Sequence, residues 1–166
     1  MKKIFVLALA LSLLSFFASD LDAKKEKAIK GFGSVAIPPY GLSLDASYDP
    51  RLDTLVPGYK VIQVIMENSS FNIIGLDPKK DEWSIMIAGT KRPVPVINNM
   101  RSQEPKLWSE LPERVRNLIG YPLVLPIGGK EIINIFVPAK YDVASFNEVR
   151  ASIKSLGVRF EIQVTQ

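Results

Sequence analysis

Between Leu55 and Ser70 the chain reads LVPGYKVIQVIMENSS, a dense apolar stretch entered through a Pro-Gly pair and closed by Asn-Ser-Ser. Val and Ile branch at Cβ, which suits the pleat of a strand and restricts helical rotamers. From Tyr59 to Glu67 the residues Tyr59, Val61, Val64 and Met66 interleave with Lys60, Gln63 and Glu67, while Ile62 and Ile65 break strict alternation. That pattern predicts a central strand covered on both faces, and so a core built around it.

The flanking sequence supplies partners for that strand. Ser34–Ile37 and Leu42–Ala46 are short apolar stretches split by Pro38-Pro39, which cannot donate to a ladder; both read as edge or sheet-switching strands. FNIIGL and a DPKKDE turn precede WSIMIAG, where Trp83, Ile85 and Ile87 share one face and Ser84 and Met86 the other. The prolines of GTKRPVPVI indicate an edge strand. Further along come PLVLP, a turn at Ile127-Gly128-Gly129, KEIINIFVP, a helical turn capped by Asp142 and running through Phe146, and a terminal hairpin of EVRASI and VRFEIQV around Lys154–Gly157.

One stretch departs from this texture. In NNMRSQEPKLWSELPERVRNLIGYP the residues Leu111, Val115, Leu118 and Ile119 fall at helical spacing, Pro112 suits a first turn, and Gly120 with Pro122 ends the run. The expected fold is therefore all-β: a two-layer antiparallel sandwich of about nine short strands with one inserted amphipathic helix, a closed barrel being the runner-up. The domain spans residues 31–166 with a helix-bearing insertion at 98–120.

Ahead of the domain, MKK precedes an uninterrupted apolar run from Ile4 to Ala18 and then polar SDLDAKKEK, the architecture of a signal peptide. The run is shorter than a spanning helix requires, which favours cleavage over anchoring. Phe16-Phe17-Ala18 and Leu21-Asp22-Ala23 both approach the small-x-small rule and Ser19 offers a third end; we take residues 1–23 as the peptide, with Lys24 as the mature start. Residues 24–30 read as a charged linker. No cysteine follows the apolar run, so lipid attachment at the cleavage point is excluded, and the product is expected in the periplasm or outside the cell.

Composition then narrows the chemistry. The chain has no cysteine and no histidine, which removes thiol and imidazole nucleophiles and bases, redox chemistry and the common zinc sets. A Ser-Lys dyad stays open in principle, but no SxxK motif with oxyanion context appears, and SIKS at Ser152–Ser155 has the wrong spacing. Asp45, Asp49 and Asp53 in LDASYDPRLD do not follow the alternate-position spacing of an EF-hand and read as turn and cap residues. Asp77 and Asp81 around Pro78-Lys79-Lys80 read as a β-turn with local charge pairing. Asn68-Ser69-Ser70 fits a glycosylation triplet but reads as a turn, and the glycines at Gly31 and Gly33 lack the helix and lysine of a phosphate loop. The expectation is a protein that is not an enzyme and carries no metal or cofactor.

With 17 acidic residues among 21 basic ones, the net charge of +4 is dispersed rather than blocked. The residues that stand out are Trp108, Arg101, Arg114 and Arg116, since Trp and Arg most often dominate protein contacts. They are the candidate partner-binding set, the alternative being that Trp108 and Leu111 cover the open end of the core. Export argues against a nucleic-acid partner; a protein of the bacterial envelope is the expected one.

Two motifs carry a resemblance. Pro57-Gly58-Tyr59-Lys60-Val61 through Asn68, and Leu125-Pro126-Ile127-Gly128 through Phe136-Val137-Pro138, resemble the leading and closing strands of telokin-like, immunoglobulin-related domains of unknown function in exported bacterial proteins. The resemblance covers roughly the last two thirds of the chain and implies an immunoglobulin-like β-sandwich acting as an extracytoplasmic binding or structural module, with no catalytic residues.

Overall fold

The computed structural model describes residues 28–33, 37 and 40–164. The signal peptide, most of the charged linker, residues 34–36 of the strand expected at Ser34–Ile37 and the Pro38-Pro39 pair lie outside the described residues; Ile37 itself forms an isolated bridge to Leu42.

Ten strands are present among the described residues: β1 (Ala28–Phe32), β2 (Leu42–Tyr48), β3 (Tyr59–Asn68), β4 (Ile74–Gly75), β5 (Glu82–Ile87), β6 (Val94–Pro95), β7 (Val124–Leu125), β8 (Lys130–Pro138), β9 (Phe146–Ile153) and β10 (Val158–Gln163). They form a five-stranded sheet in the order β1-β10-β9-β5-β6, a three-stranded sheet β2-β3-β8 and a two-stranded ribbon β4-β7. All neighbours are antiparallel except β1, which runs parallel to β10 with Ala28 opposite Arg159 and Phe32 opposite Gln163. The architecture is therefore not purely antiparallel as expected: the five-stranded sheet is mixed. The linker boundary moves as well, because Ala28–Lys30 already belongs to a strand.

The long central strand is where the sequence placed it. Residues Ile62, Val64 and Met66 of β3 face the main core together with Ile133, Ile135 and Val137 of β8, and the five-stranded sheet contributes Trp83, Ile85, Val149, Ala151, Phe160 and Ile162 to the same cluster. On the opposite face of β3, Val61 sits against its cross-strand partner Phe136 in a second, smaller core. Both faces are thus covered, which is why Ile62 joins Val61 in breaking alternation. Entry into β3 depends on Gly58, whose φ of 82° lies in the left-handed region; its carbonyl accepts from the Ala139 amide just beyond β8. Gly41 combines a φ of 58° with a close approach: a Cβ there would stand 2.8 Å from the Ser70 amide nitrogen.

The second core is roofed by the helical segment. Instead of one amphipathic helix, three short ones occur: α1 (Met100–Gln103), α2 (Pro105–Glu110) and α3 (Glu113–Leu118). Each break coincides with a proline, Pro105 at the start of α2 and Pro112 immediately before α3, where a missing N–H and the restriction on the preceding residue end a helix. Met100, Leu111, Val115 and Ile119 are buried with Val56, Val61 and Phe136, and Leu107 and Trp108 pack on their edge. Leu118, expected on the buried stripe, is 58% exposed, while Val115 and Ile119, four residues apart, carry the buried face. The segment lies on the outer face of the three-stranded sheet rather than at an open end of the main core.

Three polar ties fix it there. The Tyr59 hydroxyl donates to Glu104 Oε1 at the α1–α2 junction (3.0 Å), the Asn134 side-chain amide donates to the Leu118 carbonyl at the end of α3 (3.2 Å), and Ile97 exchanges backbone hydrogen bonds with Phe136. The terminal hairpin and the shared face of Trp83, Ile85 and Ile87 are present, whereas Asp142 caps a turn, accepting from the Ala144 amide, with no helix through Phe146.

Candidate functional site

A recess of about 690 Å³ opens between the helical segment and the β4–β5 turn. Its walls come from four separate stretches: Pro78 and Lys79 in the turn, Asn99–Ser102 around α1, Trp108 in α2, and Arg116, Asn117, Ile119, Gly120, Tyr121 and Leu123 from α3 to the residue before β7. Three of the four residues singled out from the sequence, Arg101, Trp108 and Arg116, therefore line one cavity. Arg114 does not. It lies on a second recess of about 740 Å³, with Leu107, Glu110, Leu118 and the loop around Leu55.

Helix geometry explains the separation. Arg114 and Arg116 are two residues apart in α3, and positions two apart point to well-separated sides of a helix, whereas positions three or four apart share one. Trp108 and Arg116 come from different helices whose directions are set by Pro112. Trp108 is half-buried, with one edge on the second core and the rest forming a wall of the first recess.

Of these lining residues, Tyr121 is tied into a buried polar network. Asp81, only 4% exposed, accepts from the Asp77 amide at 2.7 Å and from the Lys154 amide at 2.9 Å. The Tyr121 hydroxyl also donates to Asp81 Oδ2 and accepts from the Trp83 indole N–H, both at 3.1 Å. The Asn98 side-chain amide donates to the Asp81 carbonyl. Burial pushes the Tyr121 phenol well above its ordinary pKa, and the adjoining Asp81 charge adds to the shift because a second anion there is opposed. The Tyr121 ring is thereby held neutral and fixed as one side of the recess.

Charge is the feature that distinguishes the site. Lys79, Arg101 and Arg116 line it and no carboxylate does. Among the described residues the salt bridges are Arg51–Asp49, Lys80–Asp77, Lys130–Glu67 and Arg150–Glu148, so none of these three cations is held in one. The Asp77 carboxyl is held below its usual range, chiefly by its hydrogen bond to Lys80 and to a smaller degree by the Lys79 amide and charge. Sequence reading grouped Lys79 and Lys80 as local pairing in one turn; the structure gives the pairing to Lys80 and leaves Lys79 at the recess. Tyr121 and Lys79 are thus the site residues that the sequence did not single out. Neither carries a local signal, since the contacts that place Tyr121 reach back 38 and 40 residues in the chain.

The remaining polar motifs are structural. Asp49 caps the turn at Pro50–Thr54 and Asp53 accepts from the Tyr48 hydroxyl at 2.6 Å, so the LDASYDPRLD aspartates are spent on local geometry. No group of three metal-ligating side chains occurs among the described residues. Asn68 is fully enclosed and its amide donates to the Asn72 and Leu125 carbonyls, which makes the Asn-Ser-Ser triplet a locked turn tying β3 to β7. No helix among the described residues is long and apolar enough to cross a membrane. No family model, curated protein or solved structure matches the chain.

Proposed function

We propose that the chain is a non-catalytic module of the bacterial cell envelope, exported to the periplasm or beyond, with an immunoglobulin-like β-sandwich that carries its helical segment to a protein partner. The sandwich reading is supported by two sheets that share one core. Export is supported by the leader, and the absence of catalysis by a sequence without histidine or cysteine.

The observation that carries the binding reading is the recess in which Arg101, Trp108 and Arg116 converge. Long cations kept out of salt bridges beside a half-buried Trp contribute little to folding, while Trp and Arg in such a setting are the residues that dominate interfaces. A second reading, a small-molecule or cell-wall ligand, is favoured by the size of the recess, which falls within the range of ligand pockets.

The test is photo-crosslinking in living cells from position 102 or 117 at the rim, comparing the native protein with Trp108→Ala/Arg116→Ala, each checked for folding by circular dichroism. A discrete protein adduct that the double variant loses is the expected result. Repeated absence of any protein adduct from the folded native protein would sink the partner reading, and an adduct of small mass would transfer the site to the second.

A further inference from the structure

We propose that the recess beside α1 and α3 recognises an acidic peptide segment, one that brings two or more carboxylates and an apolar side chain into it. This deepens the reading of the chain as a protein-binding module and rests on it. Three cations from three separate parts of the chain meet there: Lys79 from the β4–β5 turn, Arg101 from α1 and Arg116 from α3. No acidic side chain shares the lining, and the nearest enclosed carboxylate, Asp81, already accepts from two backbone amides and the Tyr121 hydroxyl.

Guanidinium groups present a planar fork that matches a carboxylate in two parallel hydrogen bonds, and two of them spaced around one recess select a ligand with more than one acid. Trp108, Tyr121, Ile119 and Leu123 supply an apolar complement for the neighbouring side chain. The cations border a concavity with Trp108 half-buried in its wall. That shape admits an inserted chain; a flat lipid surface is met instead by projecting side chains. Electrostatic matching of this kind governs specificity and encounter rate, and it weakens with salt.

The exported protein is titrated by calorimetry with an acetylated, amidated pentapeptide of sequence Glu-Leu-Glu-Phe-Glu, and with the same peptide carrying Gln at every Glu. The variant Lys79→Gln/Arg101→Gln/Arg116→Gln is compared with a charge-matched control, Lys91→Gln/Arg92→Gln/Lys140→Gln, whose exposed positions lie outside both recesses. Saturable binding of the Glu peptide, at least tenfold weaker in the first triple variant and in high salt but unchanged in the control, is expected.

Equal binding of the Gln peptide, an equal loss in both triple variants, or no saturable binding overturns the proposal. So does binding of inorganic phosphate or of anionic phospholipid vesicles that the Glu peptide fails to displace. The crosslinking experiment separates the two levels. If a protein adduct persists in the first triple variant, the docking module stands and its acidic recognition falls. If the peptide binds as expected but no protein adduct forms in cells, the recess chemistry stands and the partner reading falls.

Discussion

Two recesses flank the helical segment, nearly equal in volume at about 690 and 740 Å³, and they differ in what holds them and in what they present. The first has three cations, no acid, and a wall residue, Tyr121, held by buried hydrogen bonds to Asp81 and Trp83. The second balances Arg114 against Glu110 and has a floor of apolar contacts, Leu111 and Val115 packed over Val61 and Phe136. Size alone does not distinguish a binding site from a packing groove here. The difference lies in cations held in no salt bridge, set beside a hydrogen-bonded wall.

The strongest way to break that contrast is to remove the acceptor that holds Tyr121. Asp81→Ala leaves the Asp77 and Lys154 amides and the Tyr121 hydroxyl without their buried acceptor, and should cost about 3–5 kcal/mol in chemical denaturation. A loss below about 1 kcal/mol, the scale of an ordinary surface change, would show that the network does not hold the wall. The matching change under the second recess, Leu111→Ala, removes packing without stranding a polar group. It should cost about 2–4 kcal/mol with an unchanged denaturant slope.

How visible this was in the sequence depends on the range of the interactions. Residues Tyr59–Asn68, the terminal hairpin and the Trp83 face were legible because period and β-branching are local properties of the strand that carries them. The parallel strand Ala28–Phe32 was not: AIKGF has no alternation, and its place is set by pairing with β10 at the far end of the chain. The helical stretch was legible in kind but not in number, although Pro105 and Pro112 mark both breaks. Of the site, Arg101, Trp108 and Arg116 stood out by residue type. Lys79 and Tyr121 did not, because their roles arise only when the β4–β5 turn and the chain after α3 meet around Asp81.

A smaller effect sharpens the same contrast through pH. The Tyr121 phenol in the folded protein titrates above its unfolded value, and Tyr48 behaves alike, raised to about 12 by burial and then by its hydrogen bond to Asp53. In both cases the folded state keeps its proton while the unfolded chain releases it. Their stabilising contribution is therefore whole below the unfolded value of about 10 and is lost as pH climbs through the folded one. Tyr121→Phe removes one hydrogen bond to Asp81 and one from Trp83, so about 1–3 kcal/mol is lost at neutral pH. The alkaline decline then becomes shallower, its remainder belonging chiefly to Tyr48. A decline of unchanged steepness, followed by thermal melting across alkaline buffers, would show that Tyr121 titrates like an exposed phenol.

The smallest expected change belongs to the second recess. Leu118 is the most exposed large apolar side chain of the helical segment, at 58%, and its truncation leaves no cavity because solvent already reaches it. Leu118→Ala should alter stability by no more than about 0.5 kcal/mol. Partner capture should also stay at the native level, because Leu118 lines only the recess whose charges balance, whereas the proposed acidic segment enters the other. Exposed apolar side chains are common on soluble proteins, and a single one carries no specificity without polar groups to orient what it meets. If capture drops in Leu118→Ala while melting temperature holds, the partner is docking on apolar area beside Arg114, and the unpaired cations would then serve encounter rather than the bound state. Measuring association and dissociation rates of the captured partner decides between these, since steering charges act on the former and buried contacts on the latter.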